Sequence, residues 1–256
     1  MTIDRRRFLA YGGAGIAASL LAGCTAAPTA GQVRDILASA NKLTLRVQRL
    51  LLSGGALARE FTEADLSPTF RANGTTSPED ETYAALARGG FADWRLEVGG
   101  LVDRPASLSL IDLKQLPART QITRHDCVEG WSCIGKWKGP QLATVLDRVG
   151  LKPEARYVVF RSADRLSYGL LSAPYYESID LIDAFHPQTI LAYEMNDQPL
   201  PIAHGAPLRL RVERQLGYKH AKYVMGIEAV ESLSGIGLGK GGYWEDRAGY
   251  EWYAGI

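Results

Sequence analysis

The segment best suited to chemistry surrounds Cys127, which follows a histidine and an aspartate directly. It reads RHDCVEGWSC and runs from Arg124 to Cys133. A cysteine thiolate is a soft ligand, suited to metals other than the hard cations that prefer oxygen. Two cations close in sequence, Arg124 and Lys136, are expected to favour the thiolate over the thiol. The segment therefore predicts a metal-binding thiolate at Cys127.

Three other interpretations of these cysteines stay open on residue types alone. Cys127 could be a buried structural thiol, since free cysteine is often buried. Cys127 and Cys133 could form a disulfide in an oxidising compartment, which would remove the metal ligand. His125, the two cysteines and a distant histidine could bind zinc, although H-x-C-x5-C fits no standard zinc spacing. Cys133 by itself is expected to be a small core residue.

A longer stretch, RHDCVEGWSCIGKWKGPQLATVLDRVGL, resembles the cofactor-binding segment of the sulfite oxidase superfamily of molybdopterin enzymes. It is most similar to the bacterial branch that includes the periplasmic methionine-sulfoxide reductase catalytic subunit, which carries C-V-E-x-W-S followed by W-x-G and a short helix. Other matching segments occur in the same order between residues 68 and 231: FRANGT (70–75), DAFHP (183–187), HGAPLRL (204–210) and LGYKHAK (216–222).

The resemblance implies a molybdenum–molybdopterin cofactor, in the form without an added nucleotide, with Cys127 as the protein ligand of the metal. It implies that Arg209 and Lys219 bind the pterin phosphate, as charged donors suited to an anion. Gly217 would let backbone N–H groups approach closely. The other residues expected to contact the cofactor are Asn73, Ser162, Asp183, His204 and Tyr218.

Beside the metal ligand, His125 and Arg124 are the further candidate catalytic residues, although His125 could equally face the core. His186 and His220 are expected to be structural or surface residues, and Arg211 is expected to be a solvated charge. Trp131 and Trp137 are expected to be core residues. The aromatic C-terminal tail, GGYWEDRAGYEWYAGI, either covers the mouth of the active site or docks on the body to hide its rings.

The activity implied is two-electron oxygen-atom transfer on a sulfur-containing or other small substrate. Sulfite oxidation would need an anion-attracting pocket, for which Arg124, His125 and Lys136 are candidates, whereas sulfoxide reduction would need a less charged one. Electrons would be exchanged with a separate partner, a cytochrome or a membrane quinol-linked subunit, and a monomer is expected. The alternative is a non-enzymatic lipoprotein that retains the fold as a pterin-binding or interaction module.

The elements that must position these residues are mainly strands. Apolar spacing predicts helices over 33–57 and from Pro140 to Gly150, and a third with Ser77 as N-cap and Pro78 at its first position, ending at Gly89–Gly90. Strands are predicted at 94–98, 157–160, 208–212 and 223–230. Strands outnumber long helices without alternating regularly with them, which predicts an α+β fold of mixed sheets and short helices.

The first residues have the pattern of an export signal. Arg5–Arg7 precede a mildly apolar run, and DRRRFL resembles the twin-arginine motif. LAGC, ending at Cys24, resembles a lipobox, although a plain cleaved signal or an uncleaved anchor would also fit. We therefore predict a signal over 1–23, a tether and helix over 24–67 and a catalytic domain over 68–256. The protein is expected in the periplasm, with a possible lipid on Cys24.

The overall composition excludes several classes of protein. The 256 residues include 22% charged and 46% hydrophobic residues, which is typical of a globular protein rather than a disordered or fibrous one. A formal net charge of +1 shows no excess of basic residues of the kind that binds nucleic acids, so no nucleic-acid partner is expected. Three cysteines are too few for a disulfide framework.

Overall fold

The computed structural model describes residues 55–256 except 170, together with Leu43, Arg46 and Val47. Those three are helical, as the prediction for 33–57 requires, whereas residues 55–57 are not. The rest of that predicted helix, the export signal and Cys24 lie outside the described residues. Within the described part of the chain, no helix has the length and apolar character needed to cross a bilayer.

The body contains eleven short to medium strands and five short helices within the described residues. The strands are β1 (Arg95–Gly100), β2 (Ala106–Ser109), β3 (Ala118–Asp126), β4 (Ser132–Pro140), β5 (Tyr157–Tyr168), β6 (Leu171–Asp180), β7 (Ile190–Ala192), β8 (Glu194–Met195), β9 (Gln198–Pro199), β10 (Arg209–Arg211) and β11 (Val224–Val230). The helices are Glu81–Arg88, Leu110–Gln115, Leu142–Val149, Leu181–Ala184 and Tyr243–Ala248.

The strands form three sheets, which confirms the α+β prediction. A five-stranded sheet has the order β2-β1-β11-β5-β6, with β1 parallel to β11 and the other pairs antiparallel. A four-stranded antiparallel sheet has the order β3-β4-β8-β9, and β7 pairs with β10. Because parallel and antiparallel pairs are mixed and no regular β-α-β alternation occurs, the fold is not doubly wound.

The main core lies between the five-stranded sheet and the helices that pack on it. The helix Leu142–Val149 shows the principle, because Leu142, Val145, Leu146 and Val149 recur at helical spacing and are all fully buried. Burying each such side chain contributes about 1.5–3 kcal/mol. Gly150 ends the helix in a positive-φ conformation (70°) that glycine adopts without steric cost.

Two sequence predictions are wrong in detail. The helix predicted from Ser77 and Pro78 begins later, at Glu81, because the Asp80 carboxylate caps it by accepting a hydrogen bond from the Tyr83 N–H. The strand predicted at 208–212 is present as β10, but Arg211, which was expected to be solvated, is fully buried, as is Arg209. The alternation was misleading because both faces of this short strand are covered.

Residues 58–67 contact the four-stranded sheet. The Phe61 N–H donates to the Ile122 carbonyl (2.9 Å), and the Ser67 N–H donates to the Ile134 carbonyl (3.1 Å). Glu60 forms an isolated antiparallel bridge with Thr123 on β3. This part of the predicted tether therefore packs along β3 and β4, the two strands that carry the cysteine segment.

Candidate active site

The cysteine segment is the tip of a long hairpin. Strands β3 and β4 pair without interruption from Ala118–Pro140 to Asp126–Ser132, and residues 127–131 connect them. The Cys127 N–H donates to the Trp131 carbonyl (2.9 Å), and the Gly130 N–H donates to the Cys127 carbonyl (3.0 Å). Gly130 has a φ of 87°, which a residue with a Cβ rarely adopts. The turn therefore fixes Cys127 at the end of a rigid ladder.

Cys127 opens into a cleft with a cavity volume of about 140 Å³. Its walls come from six parts of the chain: the 73–75 loop, the hairpin tip, strand β5, strand β6, and the segments 217–222 and 244–250. The lining residues that matter below are Asn73, Cys127, Asp164, Tyr218, His220, Lys222, Trp244 and Tyr250. A cleft lined by apolar and aromatic side chains with a few polar groups suits a small molecule or a cofactor.

The environment of the Cys127 thiol differs from the sequence prediction. Arg124 is paired with Asp126 (2.9 Å), and Lys136 is paired with Glu63 and Asp197 (2.6 and 2.9 Å), so both cations are already engaged. Burial raises the pKa of Cys127, although backbone N–H groups partly offset it. A bound metal would supply the missing stabilisation, because a coordinating thiol is deprotonated outright.

Deep groups behind the cleft carry positive charge without a matching anion. Arg209 is fully buried; Nη1 donates to the His204 carbonyl (3.1 Å), whereas Nε and Nη2 have no partner among the described residues. Burial, reinforced by Arg211, lowers the pKa of Arg209 to about 9. The Lys222 ammonium is bonded to backbone carbonyls, including that of Asn73 (2.7 Å), and burial lowers the pKa of Lys222 to about 7.

Unpaired acceptors lie beside these cations. Asn73 Oδ1 and Asp164 Oδ1 are buried and have no hydrogen-bond partner in the described part of the chain. The other Asp164 oxygen accepts from the Thr75 hydroxyl (2.5 Å), and burial raises the pKa of Asp164. His204 Nδ1 is similarly unpaired, and burial lowers the pKa of His204 to about 4. Buried polar groups without partners are uncommon in folded proteins, so this concentration indicates a missing ligand.

His125 is held as a neutral imidazole of known tautomer. Arg211 Nη1 can only donate, so His125 Nδ1 accepts this bond (3.0 Å) and the ring proton lies on Nε2. Arg211 also forms a two-point ion pair with Glu213 (2.8 and 2.6 Å), which corrects the prediction that it is solvated. Burial, followed by the charge of Arg209, lowers the pKa of His125 well below its usual value. His125 therefore stays uncharged and shapes the floor behind Cys127.

The unpaired groups fit a molybdopterin cofactor. Arg209, behind the cleft, supplies a buried cation with unpaired N–H groups on Nε and Nη2 for a phosphate, which accepts charge-assisted hydrogen bonds. Asn73 and Asp164 supply acceptors for the N–H groups of a pterin ring, and Cys127 supplies the soft ligand for the metal. Donors, acceptors and thiol therefore occur together in the combination that this cofactor would use.

The structure does not bring every predicted residue into this cleft. The Lys219 ammonium is fully buried between Glu177 (2.7 Å) and Glu245 (2.5 Å). Asp183 pairs with Arg214 (2.5 Å) and accepts from the Gln215 amide (2.6 Å), and Ser162 lines a separate cleft with Tyr176 and Asp246. Gly217 and Tyr218 do line the cleft that contains Cys127.

The cleft residues that were not predicted as site residues include Asp164, His220 and Lys222. His220 had been expected to be structural; its Nε2 donates to the Gln215 carbonyl (3.0 Å), so its unpaired Nδ1 is an acceptor. Lys222 lines the cleft, whereas Lys219, three residues earlier in LGYKHAK, does not. The sequence offered two lysines in one motif, and only the turn at Gly217–Lys219 determines which one faces the cleft.

Two alternative interpretations of the cysteines, the disulfide and the zinc site, are not supported. Cys127 and Cys133 are both free thiols, and Cys133 Sγ instead lies 3.8 Å from the Thr69 carbonyl. Within the described residues, no group of three or more histidine, cysteine or acidic side chains is arranged to hold a metal ion, so a zinc site is not formed there. Cys133 is buried in the core, as expected.

Comparison with known proteins identifies the family. The family described as "Oxidoreductase molybdopterin binding domain" matches residues 84–235, more than half of the chain. This chain belongs to that family. It is thus a molybdopterin oxidoreductase with a sulfite-oxidase-type α+β fold.

Several curated relatives resemble the chain. It is 38% identical over 237 residues to the "Putative protein-methionine-sulfoxide reductase subunit YedZ1" of Azospira oryzae, covering 93% of this chain and 82% of that protein. It is also 38% identical over 150 residues to the protein-methionine-sulfoxide reductase catalytic subunit MsrP of Xanthomonas axonopodis pv. citri, covering 56% of this chain and 47% of that protein. The chain therefore spans about half the length of that MsrP relative.

Among solved structures, the sulfane dehydrogenase SoxCD from Paracoccus pantotrophus is similar at 23% identity with a TM-score of 0.49. The similarity covers 55% of this chain and 39% of that one.

Proposed function

We propose that the protein is an exported molybdopterin oxidoreductase that removes the oxygen atom from an uncharged sulfoxide, using two electrons from a separate redox partner. The overall reaction consumes two protons and two electrons and yields a thioether and water. The relatives named as methionine-sulfoxide reductase subunits support this direction. The twin-arginine motif supports export, and the lipobox supports a lipid on Cys24.

The observation that carries the choice of substrate is the charge of the outer cleft around Cys127. Its walls there are Val128, Leu166, Trp244 and Tyr250, and the neighbouring charge of Glu129 is balanced by Arg71, whose guanidinium lies 3.9 Å from the carboxylate. The two cations proposed for an anion pocket, Arg124 and Lys136, are engaged by carboxylates. An outer cleft with apolar walls and no excess of positive charge gives little attraction to an anion such as sulfite and suits an uncharged substrate.

The residues of the chain divide the work between binding and reaction. When bound, the molybdenum cofactor supplies the exchange of one oxygen atom and two electrons. Arg209 would hold the phosphate through its unpaired nitrogen atoms, Lys222 would fix the 73–75 loop through its bonds to the Asn73 and Thr75 carbonyls, and Asn73 and Asp164 would accept hydrogen bonds from the ring. Cys127 holds the metal at the mouth of this pocket. His125 is neutral, so its ring places no positive charge beside the Cys127 thiolate that would compete with the metal for this ligand.

The apolar part of the cleft also excludes water. Leu166 and the rings of Trp244 and Tyr250 face the space in front of Cys127. A site with few water molecules strengthens electrostatic interactions and limits side reactions of the reduced centre. The C-terminal tail therefore contributes to the mouth of the cleft, which is one of the two roles its sequence allowed.

The test combines metal content with substrate turnover. The full chain is produced in a host with twin-arginine export and molybdopterin synthesis, and molybdenum per chain is determined by elemental analysis. We expect near-stoichiometric molybdenum and reduction of methionine sulfoxide by a dithionite-reduced dye, with little sulfite oxidation. Molybdenum with sulfite oxidation as the faster reaction would contradict the proposed direction and substrate.

A further inference from the structure

The C-terminal segment beyond the family match forms one wall of the cleft. The match ends at residue 235, and the helix Tyr243–Ala248 follows. Trp244 on this helix and Tyr250 after it both line the cleft that contains Cys127. Their rings are stacked, with centroids 5.7 Å apart at an interplanar angle of 23°. Tyr250 also meets Tyr218 edge to face at 5.1 Å. The result is a continuous aromatic surface.

A buried ion triad holds this segment in place. The Lys219 ammonium lies 2.5 Å from Glu245 on the C-terminal helix and 2.7 Å from Glu177 on β6, and all three side chains are essentially inaccessible to solvent. Lys219 is in the same turn as Gly217 and Tyr218, so the triad joins the turn, the sheet and the C-terminal helix at one point. A six-residue helix has little stability alone, so its position depends on such contacts.

Burial of the three charged groups of the triad is energetically unfavourable. This indicates that the triad fixes the position of the C-terminal helix and does not only stabilise the fold. Desolvation of charged groups costs several kcal/mol, and an apolar replacement of such groups is often neutral or stabilising. Glu245 directly follows Trp244 in sequence, so holding its carboxylate also fixes the adjacent indole. The Tyr243 hydroxyl adds a bond to the Leu166 carbonyl (2.8 Å), which ties the helix to β5 beside the cleft.

We propose that Trp244 and Tyr250 form a selectivity wall, and that Lys219, Glu177 and Glu245 are the positioning residues that hold it over the cleft. This inference rests on the proposed sulfoxide reduction and specifies its substrate class. The wall favours sulfoxides that carry an aromatic or extended apolar group over dimethyl sulfoxide, because such a group buries its surface against the stacked rings.

Binding of inert sulfones tests the wall independently of turnover. Methyl phenyl sulfone and dimethyl sulfone are titrated into the holoenzyme by calorimetry, and the ratio of their Kd values is the preference. We expect the wild-type protein to bind the aryl sulfone at least about 10-fold more tightly, and Trp244→Ala to reduce this ratio to about 1. The matched control is Phe185→Ala, which truncates an exposed ring (41% exposed) that does not line the cleft.

Two conservative variants test the positioning residues. Glu245→Gln keeps the length of the side chain and an oxygen that can accept from Lys219, so we expect the aryl preference to be retained. Glu245→Asp keeps the charge but shortens the side chain by one methylene, so the helix must shift towards Lys219 to keep the contact, and we expect the preference to fall at least about 3-fold. In kinetics, the loss should appear in KM for methyl phenyl sulfoxide, with kcat and KM for dimethyl sulfoxide unchanged.

The outcomes separate this inference from the proposed function. Equal binding of the two sulfones by wild type, or an unchanged ratio in Trp244→Ala, would contradict the proposal that Trp244 and Tyr250 form a selectivity wall. An unchanged ratio in Glu245→Asp would overturn the positioning role. If the holoenzyme contains molybdenum but reduces no sulfoxide, the proposed function fails, while the sulfone ratio still reports on the wall.

Discussion

The backbone of Gly217 lies against the His125 imidazole so closely that a Cβ at residue 217 would be 2.5 Å from both Cε1 and Nε2 of the ring. The ring cannot retreat, because Arg211 holds it from the other side through Nδ1 (3.0 Å). Cys127 follows His125 by two residues, and Tyr218 follows Gly217 directly. The contact therefore sets the spacing between two walls of the cleft.

A methyl group at residue 217 should disturb that spacing. We expect Gly217→Ala to destabilise the protein by about 1–3 kcal/mol, the usual cost of overpacking, and to lower the molybdenum content of the purified enzyme. Thermal unfolding and elemental analysis check the two effects. Gly235→Ala is the matched control, since a Cβ there meets nothing within 4 Å; an equal effect of both variants would contradict the explanation.

The two free cysteines should differ sharply in function. We expect Cys127→Ala to lose most of the molybdenum and all turnover, because the proposed protein ligand is gone. Cys133→Ala removes a core sulfur of similar burial and should cost only about 1 kcal/mol of stability while the enzyme keeps its metal. Metal analysis of the two variants side by side is the measurement. Full molybdenum in Cys127→Ala would rule out this ligand.

Replacing Arg209 should separate stability from cofactor binding. Arg209 is fully buried with two unpaired nitrogen atoms, so in the cofactor-free protein its charge is uncompensated. We expect Arg209→Met to leave the unfolding free energy of the cofactor-free protein unchanged or about 1–3 kcal/mol higher, while pterin content falls severely. Urea unfolding and pterin fluorescence after oxidation provide the two values. A strongly destabilised variant would indicate a structural role instead.

The stability of the cofactor-free protein should depend on pH through Lys222. Its pKa is lowered to about 7 in the folded protein, whereas an unfolded lysine titrates near 10.4. Between these values the unfolded state binds more protons, so stability rises as pH rises. From pH 7.5 to 9 we expect a gain of about 1 kcal/mol per pH unit from this group.

The Lys222→Met variant isolates that contribution. It should remove most of the rise between pH 7.5 and 8.5, a range that lies below the pKa of about 9 of Arg209. Urea unfolding at several pH values, on protein from a host without molybdopterin synthesis, gives both curves. Parallel curves for wild type and variant would show that Lys222 titrates normally.

The sequence predicted the family and the α+β fold class better than the burial of particular side chains. Local signals were sufficient where one short segment decides the outcome, as in the helix that ends at Gly150 and the strand that begins at Arg95. The local signals failed where the burial of a side chain depends on segments that are distant in sequence. Arg209 and Arg211 alternate with leucine as a surface strand would, yet both are covered by other segments.

The same limit decided which residues form the cleft. The motif LGYKHAK contains both Lys219 and Lys222, and the two lysines are indistinguishable by type. By itself the sequence determined that a thiol, buried cations and an aromatic tail exist in one chain, with the spacing of a molybdopterin family. Only the tertiary structure decided that Lys219 is neutralised by Glu177 and Glu245 while Lys222 is left without a carboxylate. The physical reason is that the free energy of a buried charge depends on its partners in space, which lie tens of residues away in sequence.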